Sequence, residues 1–169
     1  KEQIRTAGGN AYPIPLKPEN NYMPDPEEVL AQLEKDGFDP QKVKAFVVNY
    51  PNNPLGVSAT REYLQKVLDF CYKRNILLMS DAAYADMYFE GEEPPASILE
   101  FPKAKEIAVE FHSLSKPYAL TGWRIGWACG NKDAIGILAK VKSTIDTGIF
   151  KAVQKAASEI LVSSISITY

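Results

Sequence analysis

The stretch Ile76-Leu77-Leu78-Met79-Ser80-Asp81 decides the fold. Four apolar residues run without a polar break and then stop at a serine and an aspartate. The run is too short for a helix and does not alternate, so it reads as a strand covered on both faces, the signature of a parallel sheet. Immediately upstream, Leu64, Val67, Leu68, Cys71 and Tyr72 recur at helical spacing, opened by Thr60 as N-cap and closed by Lys73-Arg74-Asn75. Further upstream, Ala45-Phe46-Val47-Val48 is a second continuous apolar run, ending in the dense turn Asn49-Tyr50-Pro51-Asn52-Asn53-Pro54-Leu55-Gly56. Downstream, Glu106 to Phe111 reads as a third strand leading into His112-Ser113-Leu114-Ser115-Lys116, and Ile125 to Cys129 as a fourth. Two helices, roughly 132–146 and 149–162, close the pattern, and the β-branched, Ser-rich run from Val162 to Tyr169 follows without a return to the sheet. Near the start, Tyr12 to Leu16 reads as a short edge strand, and Asp25-Pro26 as the N-cap and first position of a helix. Strand, helix, strand with short buried strands predicts an α/β fold: a three-layer αβα sandwich with a mainly parallel sheet.

Composition agrees with a packed domain. Of 169 residues 46% are hydrophobic and 24% charged, the net charge is −2, and there is no basic block. That balance gives no reason to expect a nucleic-acid partner. No apolar run approaches the roughly 18 residues of a membrane span, so no membrane partner is expected. Cys71 and Cys129 are too few for a disulfide framework and stand in apolar surroundings, so both are read as reduced packing residues. One histidine and two cysteines do not make a structural zinc site, and no metal is expected.

Ligands of open α/β sheets bind beyond the carboxyl ends of the strands. Three successive strands end there in polar groups: Asn53 after the first, Asp81 and Tyr84 after the second, Ser113, Ser115 and Lys116 after the third, with Arg124 eight residues on. Taken singly, Asn53 is an ordinary turn residue, Asp81 a cap, Tyr84 a half-buried ring, and Ser113, Ser115 and Lys116 loop residues. Arg124 is harder to explain so, because a guanidinium between Trp123 and Ile125 needs an anion or a stacking partner once buried; Glu110 and Asp133 are the candidates. His112 is read as a packed strand-end residue. Together, an amine, hydroxyls, a guanidinium, a carboxylate and a phenol are the parts that suit a phosphorylated aromatic aldehyde with a pyridine nitrogen, which is pyridoxal 5'-phosphate.

The motifs Asn53-Pro54-Leu55-Gly56, Asp81-Ala82-Ala83-Tyr84, Ser113-Leu114-Ser115-Lys116 and Gly122-Trp123-Arg124-Ile125-Gly126 resemble, in order and spacing, those of the class I/II aminotransferases, fold type I pyridoxal-phosphate enzymes. The likeness spans about residues 10–160. It implies that Lys116 binds the cofactor covalently and shuttles a proton, and that Asp81 pairs with the pyridine nitrogen. It further implies that Asn53 and Tyr84 donate to the cofactor's phenolic oxygen, while Ser113 and Arg124 hold the phosphate with Ser115 as an auxiliary beside it. The implied activity is amino transfer between an amino acid and a 2-oxo acid, in a cytoplasmic homodimer.

The resemblance also implies parts that the chain does not display: an N-terminal arm, a Gly/Ser phosphate loop, an aromatic residue over the pyridine ring, and a small domain with an arginine for the substrate carboxylate. Residues 1–169 are therefore expected to form a single partial domain, the core of the large domain, with weak or no activity alone. The alternatives are another fold type I reaction (β-lyase, decarboxylase or cyclopropane-forming synthase) or a non-catalytic effector domain of a transcription regulator.

Overall fold

The computed structural model describes residues 2–163; the tail from Ser164 to Tyr169 lies outside them. The chain falls into two compact units, Lys1–Val43 and Lys44–Tyr169. The first holds α1 (Glu2–Thr6) and α2 (Pro26–Lys35). Asp25 caps α2 by accepting from the Glu27 N–H at 3.0 Å, with Pro26 in the first turn where a missing N–H costs nothing. The edge strand read at Tyr12 to Leu16 is not formed: these residues are irregular chain. Pro13 and Pro15 remove two ladder donors in three residues, which leaves little for a neighbouring strand to pair with.

The second unit holds β1 (Ala45–Asn49), α3 (Arg61–Arg74), β2 (Leu77–Asp81), α4 (Ala104–Ile107), β3 (Ala108–Ser113), β4 (Gly126–Gly130), α5 (Lys132–Ile145) and α6 (Lys151–Val162). The sheet order is β1-β2-β3-β4. The first three strands are parallel and β4 runs antiparallel to β3. The α/β class with a mainly parallel sheet stands. The third strand begins two residues later than its apolar pattern suggested, because Glu106 and Ile107 finish the short helix α4, whose Ala104 is fully buried.

α3 forms where its apolar stripe predicts it. Thr60 accepts from the Tyr63 N–H at 3.2 Å, and Asn75 ends the helix in the left-handed region at φ 53°. Its face of Leu64, Val67, Leu68, Phe70 and Cys71 is buried, and Phe46 of β1 meets Phe70 edge-to-face. Phe46, Val48, Leu78 and Ser80 are buried along one side of β1 and β2, whereas Val47, on the opposite side, is 54% exposed. Cover on both faces, read from Ala45 to Val48, is thus met on one face at β1, the edge strand. A separate cluster of Leu114, Ile125 and Ala157, joined by Tyr118, Leu120, Trp127 and Val153, anchors α6 beside the β3–β4 connection.

β4 lies so close to β3 that only glycine fits at Gly126: a Cβ there would run into the backbone carbonyl of His112.

Candidate cofactor site at the strand ends

Parallel pairing carries β1, β2 and β3 to a common edge, where they end at Asn49, Asp81 and Ser113. Register sets Asn49 opposite Asp81 and Asp81 opposite Phe111. Register partners share a face and alternation puts i and i+2 together, so Asp81 and Ser113 project from the same side of the sheet. Ser80, Glu110 and His112 occupy the other side.

The turn after β1 carries Asn53, whose Nδ2 donates to the Tyr84 hydroxyl at 3.1 Å. Two cis peptides, Tyr50–Pro51 and Asn53–Pro54, lie in this turn. The ammonium of Lys116 stands over the Tyr84 ring, 5.3 Å from its centroid, within cation–π range. Asn53, Tyr84 and Lys116, from three different segments, therefore meet on one phenol. Asp81 keeps its Oδ1 on the Ala83 N–H at 3.3 Å.

Ser113 Oγ accepts from the Ser115 N–H at 3.1 Å and lies 3.5 Å from the Ile125 carbonyl. Thr121 Oγ donates to the Ser115 carbonyl at 3.0 Å, and Arg124 Nη1 donates to the Thr121 carbonyl at 2.8 Å. Arg124 adopts φ 53°, a left-handed conformation that costs an L-residue energy and that gathers at functional sites. Its side chain is exposed. The expectation of a buried guanidinium paired with Glu110 or Asp133 is not met by Glu110, whose carboxylate takes its bonds from Ser80, Ser97, Ile98 and His112. The loop before β4 turns Arg124 outward, onto its own backbone.

Two residues outside the recognised motifs bind the pieces together. Asn49 accepts the Asn53 N–H on Oδ1 at 3.1 Å and donates from Nδ2 to the Asp81 carbonyl, also at 3.1 Å. Thr121 links the Ser115 and Arg124 segments. A polar residue closing an apolar strand was the available signal for Asn49. For Thr121 no local pattern existed.

This arrangement offers an exposed amine, a phenol with an amide donor, an exposed carboxylate at a strand end, two half-buried hydroxyls, and an exposed guanidinium tied to the Ser115 segment through Thr121. A phosphate finds hydroxyl, N–H and guanidinium donors there; an aldehyde finds an amine; a protonated pyridine nitrogen finds an anion. The donor set thus fits pyridoxal phosphate. Among the described residues no group of three or more His, Cys, Asp or Glu is placed to hold a metal ion, and no helix is long and apolar enough to cross a membrane.

The family description "aminotransferase class I and II" matches residues 1–167. An LL-diaminopimelate aminotransferase 2 of Trichormus variabilis is 50% identical over 155 residues, 89% of this chain and 37% of that protein. The LL-diaminopimelate aminotransferase of Aquifex aeolicus is 47% identical over 150 residues, again 89% and 37%. Among solved structures, a double mutant of Thermus thermophilus aspartate aminotransferase superposes with TM-score 0.81 at 34% identity, covering 95% of this chain and 40% of that one. The chain spans a little over a third of the length of these relatives, and it belongs to the class I and II aminotransferases.

Proposed function

We propose that the protein to which this chain belongs is a pyridoxal-phosphate-dependent aminotransferase and that residues 1–169 are the cofactor-binding core of its large domain. The observation that carries this reading is the meeting of Asn53, Tyr84 and Lys116 at the edge where Asp81 and Ser113 end their strands. When bound, the cofactor supplies an aldehyde for attachment to an amine and an electron-withdrawing ring. Lys116 is the attachment amine and, once displaced, the group that carries a proton to and from the substrate carbon. Asp81 supplies the anion for the ring nitrogen, since an opposite charge favours the protonated form. Asn53 and Tyr84 donate to the ring hydroxyl. Ser113, Ser115 and Arg124 hold the phosphate, Arg124 through its fork of N–H donors.

Identity near 50% to LL-diaminopimelate aminotransferases supports an amino donor of that kind, an α-amino acid with a second charged end, and a 2-oxo acid as acceptor. The family likeness supports homodimer formation and a cytoplasmic location, which sedimentation and cell fractionation test. The decisive experiment adds pyridoxal phosphate, reduces with borohydride and maps the adduct. Attachment at Lys116, lost in Lys116→Ala, is expected; an unchanged site-specific adduct in the variant rejects the assignment. Turnover of LL-diaminopimelate with 2-oxoglutarate is expected of the full-length protein and little of the isolated 169 residues.

A further inference from the structure

Glu110 is the only charged side chain buried among the described residues, at 1% exposure. A carboxylate in such a place is tolerated only when its oxygens are fully used. Here Oε1 accepts from Ser97 Oγ at 2.6 Å and lies 2.9 Å from His112 Nε2, while Oε2 accepts from the Ile98 N–H at 2.8 Å and from Ser80 Oγ at 3.4 Å. His112 in turn stacks on Trp127 of β4, rings 5.1 Å apart and 7° from parallel.

Each partner is tied to a site residue. Ser80 immediately precedes Asp81, and His112 immediately precedes Ser113. Ser97 and Ile98 close the segment 82–98, which leaves β2 carrying Tyr84 and returns to β3 at this carboxylate. One buried anion therefore gathers both ends of the Tyr84 segment and the last turns of β2 and β3, from the side of the sheet opposite Asp81 and Ser113.

We propose that Glu110 is a positioning residue for the cofactor site: it fastens the Tyr84-bearing segment and the ends of β2 and β3 so that Tyr84, Asp81 and Ser113 are held in place before any ligand arrives. This rests on the cofactor-binding reading above. Supporting residues behind ligand-binding groups commonly set their orientation. A carboxylate can only accept, so it also requires a proton on His112 Nε2.

Glu110→Gln keeps the volume and removes the charge. The Ile98 N–H can only donate, so the glutamine oxygen must face it and the glutamine NH2 must face Ser97 and His112, displacing the proton from His112 Nε2. Ser97→Ala removes the hydroxyl bond to Glu110 and with it the cap on the Leu99 N–H, while the carboxylate charge and its His112 contact stay. In the full-length protein, amide exchange, the ¹⁵N shifts of the His112 ring (identified by their loss in His112→Gln) and an absorbance titration with pyridoxal phosphate read the result.

Both variants are expected to exchange about tenfold or more faster over residues 83–98, the loss of a bond to a charged group, with β1 and α3 unchanged. Both are expected to bind the cofactor about tenfold more weakly while still forming the Lys116 adduct. Only Glu110→Gln is expected to shift the His112 tautomer. Unchanged cofactor affinity in both variants overturns the proposal, as does exchange that rises evenly across the sheet. If wild-type protein takes up no cofactor, the cofactor reading falls, and the exchange and imidazole results still decide whether Glu110 fastens these segments.

Discussion

Arg124 is held in a left-handed conformation that glycine adopts freely. Arg124→Gly is therefore expected to stabilise the chain against urea by about 0.5–1 kcal/mol. The same change should weaken cofactor binding by about tenfold to a hundredfold, the loss of a charged hydrogen-bond donor. Stability and affinity moving in opposite directions would mark the strain as serving the site; a loss of both would argue that the loop needs the side chain. The cysteines differ for another reason. Burial pushes the Cys71 thiol up to about 12, and Cys129, half-buried near Glu110, is also raised. The thiolate is the reactive form. Alkylation at pH 8 followed by peptide mass spectrometry should find Cys71 unmodified until the protein unfolds, with Cys129 reacting first.

Among the elements, the β3–β4 pair is the least forgiving. Gly126 has no room for a methyl group against the His112 carbonyl, and a Cβ at Gly130, where φ is 135°, would meet the Ala108 carbonyl. Gly126→Ala is expected to cost about 1–3 kcal/mol of unfolding free energy by chemical denaturation, since the strands must separate to admit it. Because β3 delivers Ser113 and the loop before β4 delivers Arg124, cofactor affinity should fall with it. α3 gives a milder test. Its Thr60 cap satisfies one N–H at the helix start, and Thr60→Ala should cost about 1 kcal/mol without touching the cofactor site. The helical spacing of Leu64, Val67, Leu68 and Cys71 was enough to place this helix, because its buried face is a local property of the chain. The strand ends were legible for the same reason, each apolar run stopping at a polar residue. Tyr12 to Leu16 misled because apolar residues alternate there with prolines that cannot pair.

At the scale of the whole molecule, the buried carboxylate shapes the response to acid. Burial by itself would raise the Glu110 carboxyl, but the bonds from His112, Ser97 and the Ile98 N–H outweigh it and hold the group below the ordinary glutamate value. The charged and titratable neighbours are His112 on β3, Cys129 on β4 and Glu100 in the 3-10 turn Ile98–Glu100. A carboxyl lowered on folding stabilises fully above its unfolded value, about 4.3, and loses that contribution as the pH falls through the folded value beneath it. Glu100, held low first by its bond from Arg61, adds in the same direction but is half-exposed and contributes less. Urea midpoints should therefore fall below about pH 4, and Glu110→Gln should flatten that part of the curve. An identical acid slope in the variant would remove Glu110 as its source.

Residue order alone carried the α/β class, the strand-to-motif succession, the caps of α2 and α3 and the seven candidate cofactor residues, because periodicity, capping and motif spacing are properties of neighbours along the chain. Folding in three dimensions settled the rest. It turned Arg124 outward, reversed the direction of β4, and brought Ser80, Ser97 and Ile98 onto Glu110. Those contacts join residues 12 to 30 positions apart, and they exist only once the register of β2 against β3 is set. No local pattern distinguishes a glutamate that will be buried from one left in water; the sheet that closes over it makes that choice.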